Sequence, residues 1–80
     1  MKQVRVKLFA AFRDAEGTGE LTCRTGAADV AALFSELCSA HPGLRPEAAA
    51  LVAVNDAMVA WDSALEDGDE VLYFPPVAGG

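Results

Sequence analysis

Eighty residues of 8.3 kDa make one small domain, because a chain of this size sits near the lower limit of what a single hydrophobic core supports. A hydrophobic fraction of 52%, raised by sixteen alanines, with mean hydropathy +0.24 and 22% charged residues, excludes a disordered chain. The longest apolar run, Ala48 to Val54, is seven residues, far short of the ~18 that a membrane-spanning helix needs. Lys2, Arg5 and Lys7 are spread through alternating apolar residues, with no apolar stretch or cleavage pattern of a secretory signal, so the chain reads as cytoplasmic.

The net charge is −6 with a pI near 4.4, which argues against nucleic acid, since neutralising phosphates takes clustered Lys and Arg. All six basic residues lie in the first 45 positions, where the balance is +1, whereas residues 46–80 carry −7. That acidic second part would steer the chain toward a basic surface on a partner. Cys23 and Cys38 have no CxxC spacing and no histidine cluster, so they read as small hydrophobes rather than as metal ligands or a redox pair. No metal site is expected.

Gln3 to Ala10 alternates, with Val4, Val6 and Leu8 on one face and Arg5, Lys7 and the misfit Phe9 on the other, the period of a half-buried strand. Arg13 to Gly19 reads as a polar turn, and Glu20 to Arg24 as the returning strand, with Leu21 and Cys23 inward. Asp29 is a good N-cap for a helix whose apolar stripe is Val30, Leu33, Phe34, Leu37 and Cys38. His41-Pro42-Gly43 ends it, with His41 near the helix C-terminus, where contact with the dipole or the last carbonyls suits it better than catalysis.

Leu44 to Ala50 is a connection. Leu51 to Val54 and Met58 to Trp61 then read as short strands around Asn55-Asp56-Ala57. Leu65 precedes a turn at Glu66-Asp67-Gly68-Asp69, whose acids lack the spacing of a calcium loop and read as solvated. Glu70 to Phe74 is the last strand, with Glu70, Leu72 and Phe74 sharing its outward face.

This order gives an α+β layer, a mixed sheet packed on one main helix, which is the arrangement of a β-grasp, ubiquitin-like fold. Its first and last strands are central neighbours, so Phe9 and Phe74 should lie together on the face away from the helix, as a docking patch. The domain spans 1–74, and 75–80 is an extended tail.

There is no Ser/His/Asp constellation and no phosphate-binding loop, so side-chain catalysis by this chain alone is not expected. The informative stretch is Pro75-Pro76-Val77-Ala78-Gly79-Gly80. Two prolines hold the tail extended, and small residues narrow it almost to bare backbone that can thread a tunnel. The reactive group would be the Gly80 α-carboxylate, inert until a leaving group is attached, as by adenylation.

The combination Val6-Lys7-Leu8-Phe9-Ala10, Arg13, Gly17, Asp29-Val30, Leu33, Val54-Asn55, Leu65, Asp67-Gly68-Asp69-Glu70-Val71 and Phe74-Pro75-Pro76-Val77-Ala78-Gly79-Gly80 resembles the molybdopterin synthase small subunits, within the ubiquitin-like sulfur carriers. The Pro-Pro pair favours that branch over the thiamin one, and Asp29 stands where relatives often have Thr. The resemblance implies a carrier whose Gly80 is adenylated with ATP by a partner related to ubiquitin-activating enzymes. A cysteine desulfurase or rhodanese-type donor would then convert Gly80 to a thiocarboxylate. It implies delivery of that sulfur to cyclic pyranopterin monophosphate inside a large catalytic subunit, with Phe9, Met58 and Phe74 docking and Pro75 to Gly80 inserted. No stably bound cofactor is implied. A carrier for thiamin, cysteine or tRNA thiolation, or a protein modifier joined through Gly80, would use the same terminus.

Overall fold

The computed structural model describes residues 1–9, 12–14, 17, 19–46 and 49–75. Its strands are β1 (Lys2–Leu8), β2 (Glu20–Thr25), β3 (Leu51–Val54), β4 (Ala57–Val59) and β5 (Glu70–Phe74), with one helix, α1 (Val30–Ala40), between β2 and β3. The five-stranded sheet runs β2-β1-β5-β3-β4. β1 and β5 pair in parallel at its centre, and the other three pairings are antiparallel. The mixed β-grasp sheet with its single main helix is therefore present, and the first and last strands are central neighbours as the pattern predicts.

The period-2 pattern of β1 buries Val4, Val6 and Leu8 to 2% exposure or less. The strand stops at Leu8, short of the predicted Ala10, because the Phe9 carbonyl accepts from the Phe12 amide at 3.1 Å and starts a helical turn at 12–14. Phe12, which the polar-turn reading passed over, is buried against Phe34. The turn closes at Gly17, whose amide donates to the Arg13 carbonyl at φ +83°, a conformation where glycine carries no Cβ penalty.

Asp29 caps α1 as expected, its carboxylate accepting from the Ala32 amide at 2.8 Å. The Val30 and Ala31 amides donate to the carbonyls of Ser63 and Trp61, so the first turn of the helix is satisfied by its own chain. Val30, Leu33, Phe34 and Leu37 face the sheet, Cys38 is half-buried beside them, and His41 is the C-cap.

Asn55 and Asp56 take φ +50° and +70°, the two left-handed residues of a primed hairpin turn, and Asn is among the residues that tolerate this best. A two-residue turn starts β4 at Ala57, one residue earlier than predicted, and ends it at Val59. Trp61 is released from the strand to donate to the Ala50 carbonyl at 3.1 Å and to stack on Tyr73.

The turn at 66–69 corrects the solvated reading. Glu66 and Asp67 are exposed, but Asp69 is buried, its carboxylate accepting from Asn55 Nδ2 at 3.0 Å and the Glu66 amide at 2.9 Å. Asp69 thereby ties the β3–β4 turn to the start of β5, and Gly68 supplies the φ of +87° that lets the chain turn there.

Val71 and Tyr73 of β5 are fully buried, and Tyr73 Oη donates to the Val30 carbonyl at 2.8 Å. Burial, then the charges of Cys23, Cys38, Asp29 and Glu36, hold the Tyr73 phenol well above its ordinary range. Burial also raises both cysteine thiols, Glu36 adding to the effect at Cys23. For all three groups the unfolded chain ionises first and then binds fewer protons than the folded one, so stability is full below their ordinary values and lost above them. The melting temperature is expected to fall from about pH 9 and more steeply above about pH 10. Tyr73→Phe should flatten the steeper part while costing about 1 kcal/mol for the lost hydrogen bond. An alkaline slope identical in that variant, measured by thermal melts across pH, would remove Tyr73 from the explanation. Among the described residues, no helix is long and apolar enough to cross a membrane.

Candidate functional site

The sheet has a second face, away from α1, and the strand registers divide it into rows. Phe74 is opposite Leu51, Leu72 lies between Lys7 and Ala53, Ala53 is opposite Met58, and Arg5 is opposite Glu70. Phe9 follows Lys7 by two residues and so falls beside Phe74. Their rings stack at 4.8 Å between centroids and 13° between planes.

One end of the face is therefore apolar, built from Phe9, Phe74, Leu51, Leu72, Ala53 and Met58. Leu51 and Met58 are 57% and 58% exposed and Phe9 37%, against a core whose comparable side chains are almost fully covered. Exposed large side chains gathered at one place in so small a domain mark a candidate binding surface. The other end is charged, with Arg5 Nη2 at 2.9 Å and Lys7 Nζ at 3.6 Å from the same oxygen of Glu70. These exposed pairs contribute little to stability, but they fix three side chains beside the apolar rows, where they can orient a partner.

Of the predicted site residues, Phe9 and Phe74 touch, and Met58 lies on the same face two strands away from Phe74. Pro75 follows Phe74 directly and is half-buried. Pro76, Val77, Ala78, Gly79 and Gly80 lie outside the described residues. Leu72, expected on the outward face beside Phe74 but not named for docking, belongs to the patch, and so does Leu51, which was missed. Leu51 sits within the unbroken run from Ala48 to Val54, where no alternation tells the two faces apart. Among the described residues, no three His, Cys, Asp or Glu side chains are grouped to hold a metal ion.

The ThiS family matches residues 6–80. The molybdopterin synthase sulfur carrier subunit of Chlamydomonas reinhardtii is 37% identical over 98% of this chain and 99% of its own, and that of Mycobacterium tuberculosis 36% identical over the whole of both. Small archaeal modifier protein 1 of Haloferax volcanii superposes with a TM-score of 0.84 at 28% identity, covering 96% of this chain and all of that one. A chain in the complex of subunits 1 and 2 of molybdopterin-converting factor from Helicobacter pylori superposes at 0.66 with 25% identity, covering 98% and 99%. With matching sequence from Val6 to Gly80 and a β-grasp sheet to carry it, this chain belongs to the ThiS family.

Proposed function

We propose that the chain is the sulfur carrier of a molybdopterin synthase, loaded at Gly80 and docked on a large catalytic subunit through the apolar end of its sheet. The observation that carries this reading is the stacked Phe9–Phe74 pair at the place where β5 gives way to Pro75. An aromatic anchor stands at the root of a Pro-Pro tail. Residues 75–80, fully extended, reach about 20 Å, so a partner that grips the anchor holds the tip of the tail at a fixed depth.

In the proposed cycle a Gly80 carboxylate oxygen attacks the α-phosphorus of ATP in an adenylating partner, and pyrophosphate leaves. The outer persulfide sulfur of a desulfurase or rhodanese-type donor then displaces AMP from the acyl-adenylate, and a thiol cleaves the S–S bond of the resulting acyl disulfide, leaving a thiocarboxylate on Gly80 and a disulfide on the donor. The thiocarboxylate sulfur displaces an oxygen substituent from a side-chain carbon of cyclic pyranopterin monophosphate in the large subunit, and water hydrolyses the thioester so formed, leaving the sulfur on the pterin and releasing the tail as a carboxylate. Two such deliveries supply both sulfurs of the dithiolene. The carrier provides docking and reach, while ATP is bound by its partner. The names of the full-length relatives and the two-subunit complex from H. pylori support this reading.

Fragmentation of the C-terminal peptide of the protein from its own cells tests it. Sulfur in place of oxygen at Gly80 is expected, and conversion of the pterin precursor when the loaded carrier meets its large subunit. Loaded carrier that supports another sulfur product but not this one would move it to a different pathway. The likeness to an archaeal modifier protein favours one second reading, conjugation of Gly80 to lysines of other proteins. Gly-Gly remnants on other proteins, with only plain carboxylate in the free pool, would establish that alternative.

A further inference from the structure

β2 forms one edge of the sheet, and six residues long it is twice the length of β4 at the other. The Leu8 amide donates to the Gly19 carbonyl at 2.9 Å, which sets the phase of the β1–β2 ladder. Bonded pairs recur at every second residue of an antiparallel ladder. Leu21, Cys23 and Thr25 therefore exchange bonds with Val6, Val4 and Lys2, and Glu20, Thr22 and Arg24 turn their amides and carbonyls to the side of the strand away from β1. The side chains of these three are exposed on the face away from α1. Leu21 and Cys23, on the other face, are only partly covered by the core, and Cys23 borders a groove of about 260 Å³ lined also by Leu33 and Leu37.

We infer that this edge pairs with the same edge of a second copy of the chain, antiparallel about a two-fold axis through Thr22, joining two five-stranded sheets into one. In that register Glu20 of each copy faces Arg24 of the other, at both ends of the pair. Leu21 faces Cys23 across the axis on the helix side, where it covers the groove. The charges select this register. Centring the pair on Glu20 or on Arg24 uses the same outward backbone groups but sets like charges opposite each other, which disfavours pairing. Charged side chains ordinarily blunt a sheet edge against association; here their spacing makes the edge complementary to itself. β2 lies at the far edge from β4, so Leu51, Met58 and Phe74 stay uncovered in the pair.

Sedimentation of the full chain from micromolar to millimolar concentration tests this. The parent chain is expected to associate to a dimer, more weakly as salt is raised. Glu20→Arg and Arg24→Glu should each weaken association by more than about tenfold, because each puts like charges at both ends. Mixed together, the two variants should associate with each other about as well as the parent, every cross-strand pair again being opposite in sign. Thr22→Pro, which removes an amide that the β1 ladder does not use, should be monomeric, with far-UV circular dichroism reporting that each variant is folded. A parent chain that stays monomeric at millimolar concentration overturns the inference. So does a dimer that both reversals leave intact and that Phe74→Asp dissolves, since its contact would be the apolar face.

Discussion

A carrier lengthened by one residue after Gly80 is expected to lose sulfur transfer altogether while melting at the temperature of the parent chain. Among the described residues the buried core runs from Val4 to Tyr73, well short of the added residue in sequence, so the melt should not change. The chemistry depends on register. One residue of extended chain is about 3.3 Å. A misplacement of about 1 Å at a reacting centre can already cost about 100-fold in rate. The added residue also moves the free carboxylate off Gly80, so adenylation and pterin conversion should fail together. Pyrophosphate exchange with the adenylating partner and conversion of the precursor by the large subunit read the two steps separately. Full activity in the lengthened carrier would end the terminal-carboxylate mechanism, whatever partner it is given.

Phe74→Asp is expected to weaken binding to the large subunit by about 2 kcal/mol or more, roughly 30-fold in Kd, by calorimetric titration. Phe74 is stacked on Phe9 and opposite Leu51, so one substitution removes the centre of the apolar rows and places a charge there. It stands at the end of β5 and is only half-buried, whereas the neighbouring Tyr73 is fully buried and carries the core contact. The fold should therefore persist, as a melt would show. Ser35→Asp, on the exposed side of α1, is the matched control and should leave Kd unchanged. Equal affinities for the parent and Phe74→Asp would take the sheet face out of the interface and leave the tail as the only contact.

Both expectations start from residues that stand out in the sequence. Phe9 breaks a clean alternation, and a break of that kind is visible without coordinates. The parity of the last strand then puts Phe74 on the same side, and the β-grasp order makes the two strands neighbours. Leu51 was hidden for the opposite reason, since it lies among alanines and valines and no polar residue marks which side faces water. Phe12 was hidden because its burial comes from a helical turn of three residues, too short to show a period. The acidic turn misled through composition. Three acids in four positions suggest solvent, but Asp69 is held inside by the Glu66 amide of its own turn and by Asn55 from the β3–β4 turn, and that second, distant partner leaves no local signature.

The central pairing of β1 with β5 also bears on when the docking face comes into being. The β1–β2 and β3–β4 hairpins need only contacts close in sequence. β5 reaches β3 across a stretch of chain comparable to that between β1 and β2, but it pairs with β1 across almost the whole domain, the slowest kind of contact to form. Phe74 meets Leu51 locally, but Phe9 joins them only when β1 and β5 pair. The face assigned to docking in the proposed function is thus complete only once β1 and β5 have paired, so a chain that lacks this pairing presents no complete version of it to a partner. Recognition of the carrier and inspection of its fold become a single event.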